Sequence, residues 1–166
     1  MTGSNPTDRS KLGTKRHILT DKVGMPLSVV ITSASTHDIK AVTDVIDKAV
    51  FRRPVVVSLS TIKGRKRKQQ HLCLDRGYNS KSIEQVIIKR GYVPHIPYKR
   101  KRGQIETTYQ KKHSSAKSKR WVVERTNSWH NRFRKLLIRY EKKVENYLGL
   151  VQLACSIIIY RKIVLG

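Results

Sequence analysis

The segment that most restricts the fold is Met25-Pro26-Leu27-Ser28-Val29-Val30-Ile31-Thr32. Leu27, Val29, Val30 and Ile31 make it nearly continuous in apolar residues. A strand of that kind has little to offer water on either face, so it belongs in the middle of a covered sheet. A second strand-like run, residues 15–20, precedes it, and Asp21-Lys22-Val23-Gly24 separates the two. Two such runs around a short turn containing Gly predict a β-hairpin. Pro26 should open the second strand, where a missing N–H costs least.

The remaining pattern adds helices to this hairpin. Residues 1–14 read as a polar lead-in. Ser35 or Thr36 is placed to cap a helix, with Asp38 in its first turn. Ile39, Val42, Val45, Ile46 and Val50 follow at helical spacing. Residues 54–59 fit strand or helix. Residues 71–74 predict a short strand. Residues 81–89 predict a helix with Ile83, Val86 and Ile87 inward and Gly91 as its cap. Pro94 and Pro97 mark residues 92–97 as an edge strand. Residues 98–119 form a basic linker with little apolar content. A long helix then starts near Lys117 or Lys119, with Val122, Trp129, Phe133, Leu136, Leu137 and Tyr140 as its apolar stripe. A last helix, residues 144–162, is apolar nearly all round and should be buried. Strands alternating with helices in this order predict an α/β domain with a mixed sheet.

Charge narrows the partner. Among 166 residues, 36 are Lys or Arg and 11 are Asp or Glu, a formal net charge of +25. Such a chain repels itself unless a polyanion is near, which points to nucleic acid. Lipidation motifs are absent, and the apolar stretch 147–160 is interrupted by Gln152 and Ser156 and is shorter than the ~20 residues of a membrane span. It reads as a core helix. The polar N-terminus is no signal peptide. Cys73 and Cys155 lie in apolar runs without metal-like spacing, as buried thiols of a reducing compartment do.

Against this basic background two carboxylates stand out. Asp75 ends the run His71-Leu72-Cys73-Leu74 and precedes Arg76-Gly77-Tyr78. Open α/β sheets gather ligands at the carboxyl ends of their strands, and Gly77 lets the chain turn there. The same aspartate would serve equally as an Asx-turn or helix cap in the loop that follows. Glu124 lies on a helix face shared with Lys117, Arg120, Asn127, Ser128 and Asn131. It could bind metal there, or simply pair with Arg120. Carboxylates suit Mg²⁺ or Mn²⁺, which are hard and prefer oxygen. Two such ions about 4 Å apart can clamp the attacking and leaving oxygens of a phosphodiester. His37, His71, His95 and His130 are scattered in sequence and read as structural. Trp129 sits on the apolar stripe and reads as core, whereas Tyr98 and Tyr109 are freer to stack on bases.

Three segments then acquire a common origin. Leu74-Asp75-Arg76-Gly77-Tyr78-Asn79-Ser80, Gly91-Tyr92-Val93-Pro94-His95-Ile96-Pro97 and Arg120-Trp121-Val122-Val123-Glu124-Arg125-Thr126-Asn127-Ser128-Trp129 resemble bacterial insertion-sequence transposases of the DDE type. Asn5-Pro6-Thr7-Asp8-Arg9-Ser10-Lys11-Leu12-Gly13, Ser35-Thr36-His37-Asp38 and the tail from Asn131 to Arg139 resemble the same family, in the same order. The resemblance implies an RNase H-like fold in which strands carry two aspartates and a late helix carries a glutamate. It makes Asp75 the second acidic residue of the triad and Glu124 the third, both catalytic and both metal-binding. Arg120 matches the arginine of the signature around the glutamate. The tyrosine of that signature is Lys117 here, and its following basic residue falls at Asn131, beside Arg132. The first aspartate of the family lies upstream of the Asn5-Pro6-Thr7-Asp8 segment, outside this chain. Asp8 and Asp21 do not replace it.

The expectation is therefore a partial RNase H-like catalytic domain over residues 15–163, lacking the first strand and ending in two long helices. Its work would be metal-dependent DNA cleavage and strand transfer at insertion-sequence ends, in the bacterial cytoplasm and nucleoid. Lys66, Arg67, Arg100, Arg102, Arg120, Arg132 and Lys135 would hold DNA. The product of an upstream frame, or a second copy of the chain on DNA, would be a partner. The alternative is a catalytically inactive DNA-binding remnant that regulates the full enzyme. A third reading is an RNase H-like nuclease or a ribosome-associated basic protein.

Overall fold

The computed structural model describes residues 2–5, 9–50, 70–97 and 120–166. They divide between two compact units, one of Met1–Phe51 with Trp121–Gly166 and one of Arg52–Arg120.

The first unit is built on the predicted hairpin. Strand β2 (Leu12–Thr20) pairs antiparallel with β3 (Pro26–Ser33), from Thr14 opposite Ser33 to Thr20 opposite Pro26, with an irregularity at Leu19/Thr20. Pro26 opens β3, as expected. The turn is held by Asp21, whose Oδ1 accepts from the N–H groups of Val23 (2.9 Å) and Met25 (2.8 Å). Gly24 closes it at φ +85°, a conformation costly to any residue with a Cβ. The lead-in is less idle than its composition suggests. Strand β1 (Gly3–Ser4) pairs antiparallel with Gly13 and Leu12, and β2 begins three residues before the predicted start.

Strand β3 is covered on both faces. Helix α1 (Asp38–Asp47) lies on one, where Ser28 Oγ donates to the Val45 carbonyl and Ala41, Val42 and Ile46 are buried. On this side Lys15 Nζ reaches Asp38 Oδ1 and the Thr36 carbonyl, each at 3.0 Å. The cap of α1 is His37, whose Nδ1 accepts from the Ile39 N–H, rather than Ser35 or Thr36. The Ser35 hydroxyl is already engaged with that of Ser33 at 2.7 Å, in the turn that leads into the helix.

The other face of β3 holds the core of the unit, in which Val29 and Ile31 pack with Leu136, Tyr147, Val151 and Ala154. Three helices lie in the C-terminal part, α3 (Arg120–Asn131), the single turn α4 (Arg134–Leu137) and α5 (Val144–Val164); Leu136 comes from α4 and Tyr147, Val151 and Ala154 from α5. The predicted long helix thus breaks after Asn131. The break closes with i→i+3 bonds, from Arg132 N–H to the Trp129 carbonyl and from Phe133 N–H to the His130 carbonyl. Arg16 of β2 bridges it, donating to Asn131 Oδ1 (2.7 Å) and the Leu136 carbonyl (3.4 Å). Because the axis changes there, Leu137 and Tyr140 leave the expected apolar stripe and are exposed.

Helix α5 also departs from expectation. It has 21 residues, enough by length and composition to cross a membrane. It is not buried all round. Tyr147, Val151, Ala154 and Ile158 form the one buried stripe, while Leu153, Tyr160, Ile163 and Val164 face outward. A stripe at spacings of four, three and four seats one helix face on the sheet core, and full burial of each such aliphatic side chain contributes about 1.5–3 kcal/mol.

The second unit is a strand–helix–strand motif. Strand β4 (Gln70–Cys73) pairs in parallel with β5 (Tyr92–His95), and α2 (Lys81–Lys89) connects them. Leu72, Ile83, Ile87, Tyr92 and Ile96 are buried. Gly91, at φ +78°, stops α2 as the sequence predicts. The opposite face of β4 presents His71 and Cys73 to solvent, so Cys73 is not the buried thiol its apolar neighbours suggested. The α/β class holds. The described strands form one antiparallel sheet and one parallel pair. Residues 54–59 and the basic linker 98–119 lie outside the described residues.

Candidate active site

Asp75 stands just beyond the carboxyl end of β4. The strand pairing runs one bond past Cys73, from the Leu74 N–H to the His95 carbonyl at 3.0 Å, before the chain turns away. Asp75 then caps a 3₁₀ turn, Arg76–Tyr78, its Oδ1 accepting from the Arg76 N–H at 2.7 Å. Asn79 Nδ2 donates to the Pro97 carbonyl at 3.2 Å and ties this loop to the end of β5. The capping role is therefore real. It orients a solvent-exposed carboxylate at the strand end, which is where a metal ligand of an α/β sheet belongs.

Behind Asp75 the sheet face carries two histidines that sequence separates by 24 residues. His71 Nδ1 and His95 Nε2 are 2.7 Å apart, their ring centroids 4.9 Å apart. The parallel register, with His71 opposite Val93 and Cys73 opposite His95, brings them together.

Glu124 is exposed on α3. What fixes this helix is the opposite stripe, Val122, Thr126 and His130, of which the last two are completely buried. Thr126 Oγ1 donates to the Gly24 carbonyl at 2.7 Å, and Arg125 Nη2 to the Val23 carbonyl at 2.6 Å. The hairpin turn thereby grips the helix that presents Glu124. His130 Nε2 lies 3.3 Å from Cys155 Sγ of α5, and its Nδ1 has no partner among the described residues. Burial, reinforced by the Arg16 guanidinium, pushes the His130 pKa down to about 4, and burial lifts the Cys155 thiol to about 11. Neither group is a nucleophile or proton carrier near neutral pH. They are packing partners that hold α3 to α5.

The structural reading of His130 holds, since it is completely buried, but the sequence missed Thr126, because a polar letter at a core position hides the period. The spacing Val122-Thr126-His130 is the signal that could have found it. Trp129, read as core, is only half-buried and is flanked by cations.

Of the expected DNA contacts, Arg132 and Lys135 are exposed around the break between α3 and α4, and Arg120 is the first residue of α3. Lys66, Arg67, Arg100 and Arg102 lie outside the described residues, as do Tyr98, Tyr109 and Lys117. Asp75 belongs to one unit and Glu124 to the other. Among the described residues no group of three or more His, Cys, Asp or Glu could hold a metal ion. The exposed carboxylates of Asp75 and Glu124 are each donors of the kind a hard divalent cation takes.

Comparison with known proteins identifies the family. The family described as "Transposase DDE domain" matches residues 2–159. A protein of Burkholderia cepacia, described as a transposase for insertion sequence element IS402, is 33% identical over 159 residues. That match covers 95% of this chain and 67% of the relative. No solved structure matches. With the family matched from residue 2 to residue 159 and a third of the positions shared with a transposase, the chain belongs to the DDE-domain transposases.

Proposed function

We propose that the chain is part of an RNase H-like catalytic domain that cuts and joins DNA at the ends of an insertion sequence, with Asp75 and Glu124 as two of its three metal-binding carboxylates. The observation that carries this reading is the station of Asp75, an exposed carboxylate at the carboxyl end of a parallel strand, capped into place. Membership of the family supports DNA as the substrate and a divalent cation as the cofactor. The ions, Mg²⁺ or Mn²⁺, would stabilise charge on the phosphodiester as it is attacked by water or a 3′-hydroxyl. The protein's own share is to orient the two carboxylates, through the cap on Asp75 and the anchoring of α3, and to hold the backbone with Arg120, Arg132, Lys135 and the basic residues 66, 67, 100 and 102.

The third carboxylate would arrive on a strand outside this chain, and β2 supports that reading. Along residues 14–20, β2 pairs with β3 on one edge and with no other strand among the described residues on the other. A strand from outside the described residues could pair along that second edge. The domain would then extend from that strand to residue 163, acting in the bacterial cytoplasm on chromosomal DNA, with the upstream product or a second copy as partner.

The two described carboxylates, one short of a triad, favour a second reading, a DNA-binding remnant without chemistry. One assay separates the two. The chain is mixed with labelled element-end DNA and Mn²⁺, alone and with an upstream polypeptide that carries an aspartate on a strand. Cleavage that needs the upstream polypeptide, and that Asp75→Asn abolishes, supports the catalytic reading. Salt-sensitive binding without cleavage under both conditions supports the remnant.

A further inference from the structure

Helix α3 carries an exposed indole that neither the core nor the candidate carboxylates explain. Trp121 is 56% exposed in the first turn of the helix. A lone surface tryptophan is unremarkable in itself. This one is backed. The Arg125 guanidinium lies 4.8 Å from the Trp121 ring centroid and 5.1 Å from that of Trp129. Lys162 Nζ adds a cation 5.5 Å from the far ring. Arg125 is itself pinned, donating to the Val23 carbonyl at 2.6 Å. The order Trp121, Arg125, Trp129 follows i, i+4, i+8 spacing, so the three side chains form one ladder along the helix. A guanidinium clamped between two rings is held by cation–π attraction on both sides. The indole at the open end is therefore supported in place while much of its surface faces solvent.

We propose that Trp121 is a stacking platform for an unpaired DNA base next to the reacting phosphate. The inference rests on the transposase reading above and adds the part of the substrate that α3 recognises. Glu124 lies three positions after Trp121, hence on the adjoining helical surface about 5–6 Å away between Cβ atoms. A base seated on Trp121 would put its own phosphate within a nucleotide of that carboxylate. The base must be unpaired, because a base inside a duplex is already stacked on both faces. A frayed strand end or an extruded nucleotide has a free face to offer. Stacking reads no sequence, since every base has such a face. The anchored Arg125 polarises the ring from behind, while exposed Arg132 and Lys135 are left for the backbone.

The test uses the whole chain, a blunt duplex, and the same duplex with a short single-stranded 3′ extension bearing 2-aminopurine at its first unpaired position. The wild-type chain should quench the 2-aminopurine and bind the extended duplex more tightly than the blunt one. Trp121→Ala should weaken binding of the extended duplex about tenfold or more, with binding of the blunt duplex unchanged. Trp121→Phe should keep most of the difference, because it keeps a stacking face. A Trp121→Ala chain that still prefers the extended duplex, or loses both probes equally, overturns the inference. So does a wild-type chain that binds both probes alike, and in that case the DNA reading stands. A chain that binds neither probe overturns both.

Discussion

His130 should make this protein sensitive to mild acid, and the size of the effect can be worked from its burial. The side chain is fully buried, and its pKa falls from the ordinary 6.5 to about 4. In the unfolded chain the imidazole takes up its proton near its ordinary pKa. In the native protein it refuses the proton until about pH 4. Between these values the unfolded state binds more protons, so stability rises with pH and is lost as pH falls from about 6.5 toward 4. At ~1.4 kcal/mol per pH unit, the full interval corresponds to ~3 kcal/mol, and lowering the pH from 7 to 5 costs about 2 kcal/mol. His17 is also depressed, by burial first, and pulls the same way, so wild-type data alone would blur the assignment. The clean measurement is a difference. Urea unfolding of wild type and His130→Gln is followed at pH 7 and pH 5, and the two stabilities are subtracted at each pH. Gln is neutral at both, so the wild type's advantage should shrink by about 2 kcal/mol at the lower pH. Since His130 joins α3 to α5, on the catalytic reading DNA processing through Glu124 should fade over the same range. Stability lines that stay parallel from pH 7 to pH 5 would show that His130 titrates normally, and the account of how α3 is held would fail.

Other positions give sharper local tests. Gly24→Ala meets a positive φ and sets its Cβ 3.1 Å from Thr126 Oγ1, so thermal unfolding should report a loss of about 1–3 kcal/mol. Val151→Ala empties a completely buried site in the core of α5 and should cost about 2 kcal/mol in chemical denaturation, whereas the exposed Leu153→Ala should change little. Asp75→Asn and Glu124→Gln should each weaken Mn²⁺ binding about tenfold or more by calorimetry without shifting the melting temperature, since both side chains are exposed. Unchanged affinity in both would remove the two residues from the metal site.

What could be read from the sequence was the periodic part. The hairpin, the Pro26 strand start, α2 with its Gly91 stop and the apolar strand at Val29 to Ile31 all depend on spacing and on Gly or Pro, and all are found. The failures share a cause. Where tertiary contacts outweigh a local pattern, spacing misleads. Arg16 bridges a helix break that no Gly or Pro announces. Thr126 occupies a core position because the Gly24 carbonyl meets it there. Helix α5 is apolar on all sides, so composition alone could not tell its packed stripe from its outward one. Asp75 was legible as a strand-end carboxylate, but its bond to the Arg76 N–H depends on the turn and had to be seen.

The hairpin links the two requirements of the proposed site. Its turn holds α3 through Thr126 and Arg125, and so sets where Glu124 stands. Its strand β2 carries Arg16, which ties the end of α3 to α4. Opposite β3, the same strand meets no further strand along residues 14–20 among the described residues. A strand added there would pair with the element that positions Glu124. On the catalytic reading, supplying the missing carboxylate and steadying the existing glutamate are one event, because both act through β2. The upstream polypeptide should then raise the melting temperature of the first unit even when its aspartate is replaced by asparagine, while cleavage requires the aspartate itself. Stabilisation that vanished with the aspartate would mean that the added segment acts through charge, and the strand-pairing argument would be wrong.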